Sequence, residues 1–146
     1  MNTVILYYTF GGASMAEAKK RSMDGSIPVY RIREAKRRSL FTSFFPGCFW
    51  AMKRKPSKIV WPDLDLEKYD NIEILCPVWA SFPAPAFNAI IERLPEGKNV
   101  SLVFVSGGGS PLRDEPGTIA LVEKMACRVV SVENIKTGKA PSRLKE

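Results

Sequence analysis

Residues 3–8 (TVILYY) form an unbroken run of apolar, β-branched and aromatic side chains that stops at the glycines of TFGGAS. Six residues are too few for a helix. An apolar run without polar alternation describes a strand covered on both faces, as inside a parallel sheet. Residues 71–76 (NIEILC) and 100–105 (VSLVFV) repeat the pattern, and 27–32 and 127–132 are weaker examples, so five strands are predicted.

Helical periodicity lies between them. In 84–94, Phe87, Ile90, Ile91 and Leu94 recur at i, i+3, i+4 and i+7, the stripe of a helix packed on a sheet. Pro85 suits its first turn, where a missing N–H costs nothing. Residues 115–126 predict a second helix with Ile119, Val122 and Ala126 inward. Residues 14–23 predict a third, with Ser14 as N-cap and Glu17 completing a capping box. Strands joined by helical crossovers imply a mostly parallel sheet with helices on both faces. The predicted class is therefore α/β, a three-layer, doubly wound, five-stranded parallel sheet, and 146 residues suit one domain.

Two stretches fit less simply. Residues 35–58 are too long for a turn and dense in Phe and Trp; one or two short helices broken at Pro46-Gly47 are expected there, covering the sheet edge. After Val132 no apolar stripe remains, so the last helix of a doubly wound sheet is expected to be missing and part of one face bare. Self-association through that face, a homodimer, is one expectation.

Composition excludes several chemistries. The chain has no histidine, which removes His-based triads, general bases and metal ligands, and its three cysteines show no CxxC spacing, so no metal site is expected. Cys76 and Cys127 adjoin apolar runs and read as buried small hydrophobes; an odd number of cysteines fits reduced thiols in a cytoplasm. No run approaches the roughly 20 apolar residues of a membrane span, and the first residues lack a basic leader, so a cytoplasmic location is expected. The formal charge is +7, but residues 19–58 hold twelve basic and two acidic side chains, a local +10. Within 31–58 basic residues bracket Leu40, Phe41, Phe44, Phe45, Phe49 and Trp50. That interleaving is compatible with a nucleic-acid or anionic-membrane surface. A solvated rim around an aromatic cluster is the favoured reading, because no nucleic-acid motif accompanies the charges. Asp63, Asp65, Glu67 and Asp70 read as an exposed approach to the third strand.

Parallel strands all end at one edge, and ligands bind outside their carboxyl ends where strand order reverses. Three segments fall there. Thr9-Phe10-Gly11-Gly12-Ala13-Ser14 follows strand one and opens a helix. Its glycines allow a tight turn, its amides point outward, and two hydroxyls flank them, so it suits a phosphate held without any charged side chain. Pro77-Val78-Trp79-Ala80-Ser81-Phe82-Pro83 follows strand three and offers an indole and a phenyl ring to a flat ligand. Ser106-Gly107-Gly108-Gly109-Ser110 follows strand four, where consecutive glycines suit close approach to the backbone. Each has a plain alternative: a ligand-free turn, a Trp79 packed into the helix below, and a mobile loop.

Taken together, these residues resemble the flavodoxin-like family. Ile5-Leu6-Tyr7, Thr9, Gly12, Ser14 and Ala18 match its amino-terminal signature in spacing, PVWASFPAPAFNAII is similar to its second segment, and VSGGGS to its third. The resemblance spans residues 3 to about 132. It implies strand order 2-1-3-4-5 and FMN at the switch point. Thr9, Gly11, Gly12, Ala13 and Ser14, in the loop that also holds Phe10, would hold the phosphate. Trp79, with Ala80, Ser81 and Phe82 and preceded by Pro77 and Val78, would line one side of the ring. Ser106, Gly107, Gly108 and Gly109 would approach its pyrimidine end. The resemblance implies an electron carrier or small flavin-dependent oxidoreductase, with the potential set by stacking and the lack of a nearby cation. No catalytic side chain is required, and the partner would be an unidentified redox protein or small electron acceptor. Electron-carrying members are acidic, whereas this chain is basic. The alternative is a non-enzymatic binding module of the same fold that uses 31–58 on an anionic partner.

Overall fold

The computed structural model describes residues 2–36, 39 and 43–138. Leu40 and Phe41 of the basic segment lie outside the described residues. Five parallel strands form the main sheet: β1 (Thr3–Tyr7), β2 (Val29–Arg31), β5 (Asn71–Trp79), β7 (Asn99–Ser106) and β8 (Arg128–Lys136), in spatial order β2-β1-β5-β7-β8. Counting parallel strands alone, this is the expected 2-1-3-4-5. Order reverses beside β1, whose partners are β2 and β5.

Two smaller pairings interrupt the pattern. β3 (Arg33–Glu34) pairs antiparallel with β4 (Ile59–Val60), and β6 (Phe82–Pro83) folds back on β5 as a hairpin. The third strand thus runs three residues past its apolar core. Pro77, Val78 and Trp79 belong to the strand and only Ala80-Ser81 forms the turn, which corrects the expectation of a loop from Pro77 onward.

Alternation along each strand sorts the core. One face carries Val4, Leu6, Ile72, Ile74, Val100, Leu102 and Phe104, covered by α3 (Pro85–Ile91) and α4 (Glu115–Glu123). The other carries Ile5, Tyr7, Leu75, Val103 and Val105, against which α1 (Ala13–Arg21) packs Met15 and Ala18. Every residue of α3 is buried. Residues 57–60 cover part of it: β4 lies against it and the Ser57 amide donates to the Pro85 carbonyl at 3.4 Å. Before them a π-helical turn (Ser43–Cys48) runs directly into α2 (Phe49–Met52), so Pro46-Gly47 lies inside a helical turn and does not break one.

Sequence and structure differ at three further points. Gly12, whose φ of +93° turns the chain, is the N-cap of α1, and Ser14 is the second residue of the helix with no capping bond, so the predicted capping box is absent; Glu17 bonds Arg21 at 3.3 Å instead. In α4 the buried residues are Thr118 and Val122, while Ala126 follows the helix at φ +58° and is exposed. β8 continues to Lys136, four residues beyond its apolar stretch, and no helix follows it among the described residues.

On the face that α1 covers, the starts of three strands carry a polar row. Thr3, Asn71 and Asn99 stand in one register row, with Asn71 Nδ2 donating to Thr3 Oγ1 (3.5 Å) and Asn99 Nδ2 to Asn71 Oδ1 (3.3 Å). Further along the strands, Arg21 reaches from α1 to Glu73 on β5 (2.9 Å) and Glu133 on β8 (2.5 Å). The bond to Glu133 and the charges of Glu133 and Glu73 keep the guanidinium protonated, and the bond to Arg21 holds the Glu133 carboxyl below the usual carboxylate range. A single arginine thus ties α1 to two strands.

None of the three cysteines forms a disulfide, and Cys76 and Cys127 are buried as expected; burial pushes the Cys76 thiol well above its ordinary value. Asp65 caps a 3₁₀ turn (Leu66–Lys68) by accepting from the Glu67 amide at 3.0 Å. Among the described residues no helix is long and apolar enough to cross a membrane, and no group of three His, Cys, Asp or Glu could hold a metal.

Candidate functional site

The carboxyl ends of β1, β5 and β7 carry the three predicted segments; the first two meet through Phe10 and Trp79, and the loop that follows the third returns to the second through Arg113. At β1, Thr9 is buried and its Oγ1 accepts from the Gly12 amide at 2.9 Å, which folds residues 9–12 into a closed turn. Gly12 needs its glycine because φ is +93°. Gly11 and Ala13 are exposed on the outside of this turn. The first intrahelical bond of α1 runs from the Ala16 amide to the Gly12 carbonyl at 3.0 Å, so the amides of Ala13, Ser14 and Met15 precede it and have no helical acceptor. Ser14 is 1% exposed and its Oγ has no hydrogen-bond partner. A buried hydroxyl without a partner costs about 1–3 kcal/mol. Together with three amides lacking helical acceptors at the positive end of a nine-residue helix, it forms a donor set suited to a dianionic oxyanion group.

The β5–β6 hairpin approaches this turn. Trp79 pairs with Phe82 and Val78 with Pro83 in the ladder, so Ala80 and Ser81 are a two-residue turn, both at positive φ (+53° and +68°). Such turns favour Asn-Gly; two non-glycine residues here hold backbone strain at the rim. Phe10 meets Trp79 with ring centroids 5.9 Å apart and planes at 85°, and Tyr8 meets it from the β1 end at 6.2 Å and 75°. Trp79 is only half-buried, and it belongs to an aromatic group at the mouth as well as to the core beneath.

The third segment closes the arc. Ser106 Oγ accepts from the Gly109 amide at 2.9 Å, the same hydroxyl-to-third-amide turn as Thr9 and Gly12. Gly109 has φ +67°, and a Cβ there would lie 2.6 Å from Lys136 Cβ. Gly107 accepts from the Gly138 amide at 3.0 Å, and Gly108 is exposed. The loop then returns to the hairpin: the Arg113 amide donates to the Ser81 carbonyl at 2.9 Å.

Three features of this rim are not legible as a motif. The Tyr8 phenol donates to Glu34 at 2.5 Å, tying the end of β1 to β3. Arg54 and Arg113 both lie over the buried Phe82 ring, at 5.2 and 5.9 Å from its centroid. Arg54 is further held by Thr118 Oγ1 (2.9 Å) and by Asp114, so the basic segment is fastened to the start of α4. Two grooves of about 280 and 510 Å³ lie elsewhere, beside Trp61 and beside Ser57 and Lys58, and neither is lined by the predicted segments.

No protein-family model matches the sequence, and no curated protein matches it. Solved structures do match. A flavoprotein in complex with FMN from Lactobacillus acidophilus NCFM superposes with a TM-score of 0.71 at 19% identity, covering 90% of this chain and 91% of that one. The apo-form of the flavoprotein from the same organism gives 0.69 at 18%, covering 91% and 92%. A candidate flavoprotein from Bacteroides eggerthii DSM 20697 gives 0.72 at 16%, covering 95% and 89%. At these identities the likeness is one of fold. Together with the strand order it makes this chain an α/β protein of flavodoxin-like fold.

Proposed function

We propose that the chain binds FMN at this rim and works as a flavodoxin-like redox module, either an electron carrier or a small flavin-dependent oxidoreductase. The observation that carries the reading is the unpartnered, buried Ser14 Oγ beside the first-turn amides of α1, which follows the strand where sheet order reverses. Flavoproteins that share the fold, one of them in complex with FMN, support the choice of guest.

In this reading Thr9, Gly11, Gly12, Ala13 and Ser14 hold the phosphate by hydroxyl and amide donors. Trp79 and the hairpin tip line the ring, and the backbone of Ser106 to Gly109 meets its far end. Bound FMN supplies the electron transfer. The protein's residues bind, orient and exclude water, and none need move a proton. The test is a titration of flavin fluorescence. Saturable quenching at micromolar protein is expected, with Trp79→Ala weakening affinity roughly fivefold through loss of about 1 kcal/mol of stacking. Absence of saturable quenching removes the reading.

A second reading, a flavin-free binding module working through the basic segment, draws on the exposure of Phe49 and Met52 among cations. It predicts ligand binding at α2 with no response to FMN.

A further inference from the structure

The residues around α2 are arranged as a surface for contact. Phe49 and Met52 occupy the same face of this short helix and are 50% and 44% exposed, among the most exposed large apolar side chains of the fold. Cations surround them. Lys53 Nζ lies 5.6 Å from the Phe49 ring and Lys55 Nζ lies 5.1 Å from the Trp50 ring, both lysines exposed. Arg54, between them in sequence, points the other way and is bound to Asp114 and Thr118, which fixes the lysine-bearing backbone to the fold. α2 rests against β6, where Phe82 pairs with Trp79, and exposed Arg113 also lies over the Phe82 ring. The apolar pair, its lysines and Arg113 therefore continue directly from the hairpin of the candidate site.

We propose that this patch is the docking surface for an acidic protein partner, which it seats beside the β5–β6 hairpin; the inference rests on the flavin reading for the partner's purpose but not for its binding. A small apolar centre with Phe and Met ringed by positive charge is the anatomy of a transient protein interface. Charge complementarity selects a carboxylate-rich partner and accelerates encounter. A bilayer is the weaker match: among the described side chains of 46–55 only Phe49 and Met52 are both apolar and exposed, whereas surface-bound helices rely on an extended apolar face. Nucleic acid is also the weaker match, because contact with phosphates would leave Phe49 and Met52 unused unless bases stack on them.

The test uses the full chain, ¹⁵N-labelled, with an oxidised [2Fe–2S] ferredoxin as the acidic electron-transfer probe at 50 mM salt. Parallel samples receive vesicles of equal phosphatidylcholine and phosphatidylserine, and a 20-base-pair duplex. Saturable binding of ferredoxin is expected, with amide perturbations confined to residues 49–55, 80–82 and 113. Affinity should fall at least about tenfold by 200 mM salt, and by a similar factor in Lys53→Glu/Lys55→Glu, with the Gln pair intermediate. FMN affinity should be unchanged in these variants, because neither lysine lies in the flavin site. No ferredoxin binding, perturbations centred elsewhere, or tighter binding of vesicles or duplex would overturn the proposal. Ferredoxin binding at this patch by a protein that takes up no FMN would leave the docking surface standing and remove the flavin reading alone.

Discussion

Replacing Ser14 by alanine should move two quantities in opposite directions. In the flavin-free protein the Ser14 hydroxyl is buried without a partner. Removing it relieves a desolvation penalty of about 1–3 kcal/mol, and alanine's better helix propensity adds a few tenths in the first turn of α1. Less the dispersion attraction that goes with the oxygen atom, the variant should gain about 1–2 kcal/mol of stability. For a chain of 146 residues that raises Tm by roughly 3–6 °C. The flavin complex behaves oppositely. A hydrogen bond to a charged phosphate oxygen contributes about 1.5–3 kcal/mol, so FMN affinity should fall roughly ten- to a hundredfold. The assay is thermal unfolding by circular dichroism without ligand, beside a fluorescence titration with FMN. A variant that is less stable without flavin, or that binds FMN as tightly as the parent, would show that Ser14 Oγ is not an unfilled phosphate donor.

Other parts of the rim make separate predictions. Ala80→Asn/Ser81→Gly places a favourable pair in a turn whose two residues have positive φ; relief of about 1–2 kcal/mol each, less the added entropy of glycine, should raise Tm by roughly 3 °C, and a lower Tm would refute this turn geometry. Gly109→Ala must lose about 2–3 kcal/mol in denaturant unfolding, because its Cβ would meet Lys136 at 2.6 Å from a left-handed backbone; a neutral substitution would mean the Ser106–Gly109 turn is not held against β8. Arg21 lowers the Glu133 carboxyl, so the stability this pair adds is present above the ordinary glutamate range near pH 4.3 and is lost as pH falls through the lowered folded value. Glu133→Gln should accordingly cost under about 1 kcal/mol at pH 7, the carboxylate being nearly half exposed, and nothing once the pH lies below the lowered folded value; a difference that persists in acid would contradict the ion pair.

How much of this was legible follows from the kind of information each element carries. β1, β5 and β7 are buried on both faces, so their continuous apolar runs announce them, and parallel order follows once helices separate them. The second half of β8 carries Glu133, Asn134 and Lys136, and nothing in that composition marks a strand. It is held by the β7 ladder and by Arg21, an interaction between residues 112 apart in sequence. The start of α1 is misread for a related reason: Ser-x-x-Glu is a capping pattern only if the serine is outside the helix, and the Thr9–Gly12 bond moves the boundary two residues earlier. At the site, Thr9, Gly12 and Trp79 are visible as residue types in a segment ending a strand. The Ala80-Ser81 turn is invisible, since its conformation contradicts its residues' preferences and is imposed by the pairing of Trp79 with Phe82. Arg54 and Arg113 over Phe82 could not be found from charge alone, because a run such as KRK does not say which cation turns inward.

The most direct measurement is an amide-resolved titration of the ¹⁵N-labelled protein with FMN. Simultaneous, saturating perturbation of residues 9–15, 79–82 and 106–109 is the predicted result, since all three follow neighbouring strands of one sheet edge, Phe10 meets Trp79, and the loop after 106–109 is bonded to the hairpin through Arg113 and Ser81. Perturbation of one segment without the others, or of the groove beside Ser57 and Lys58 in their place, would contradict a single FMN pocket at this edge of the sheet.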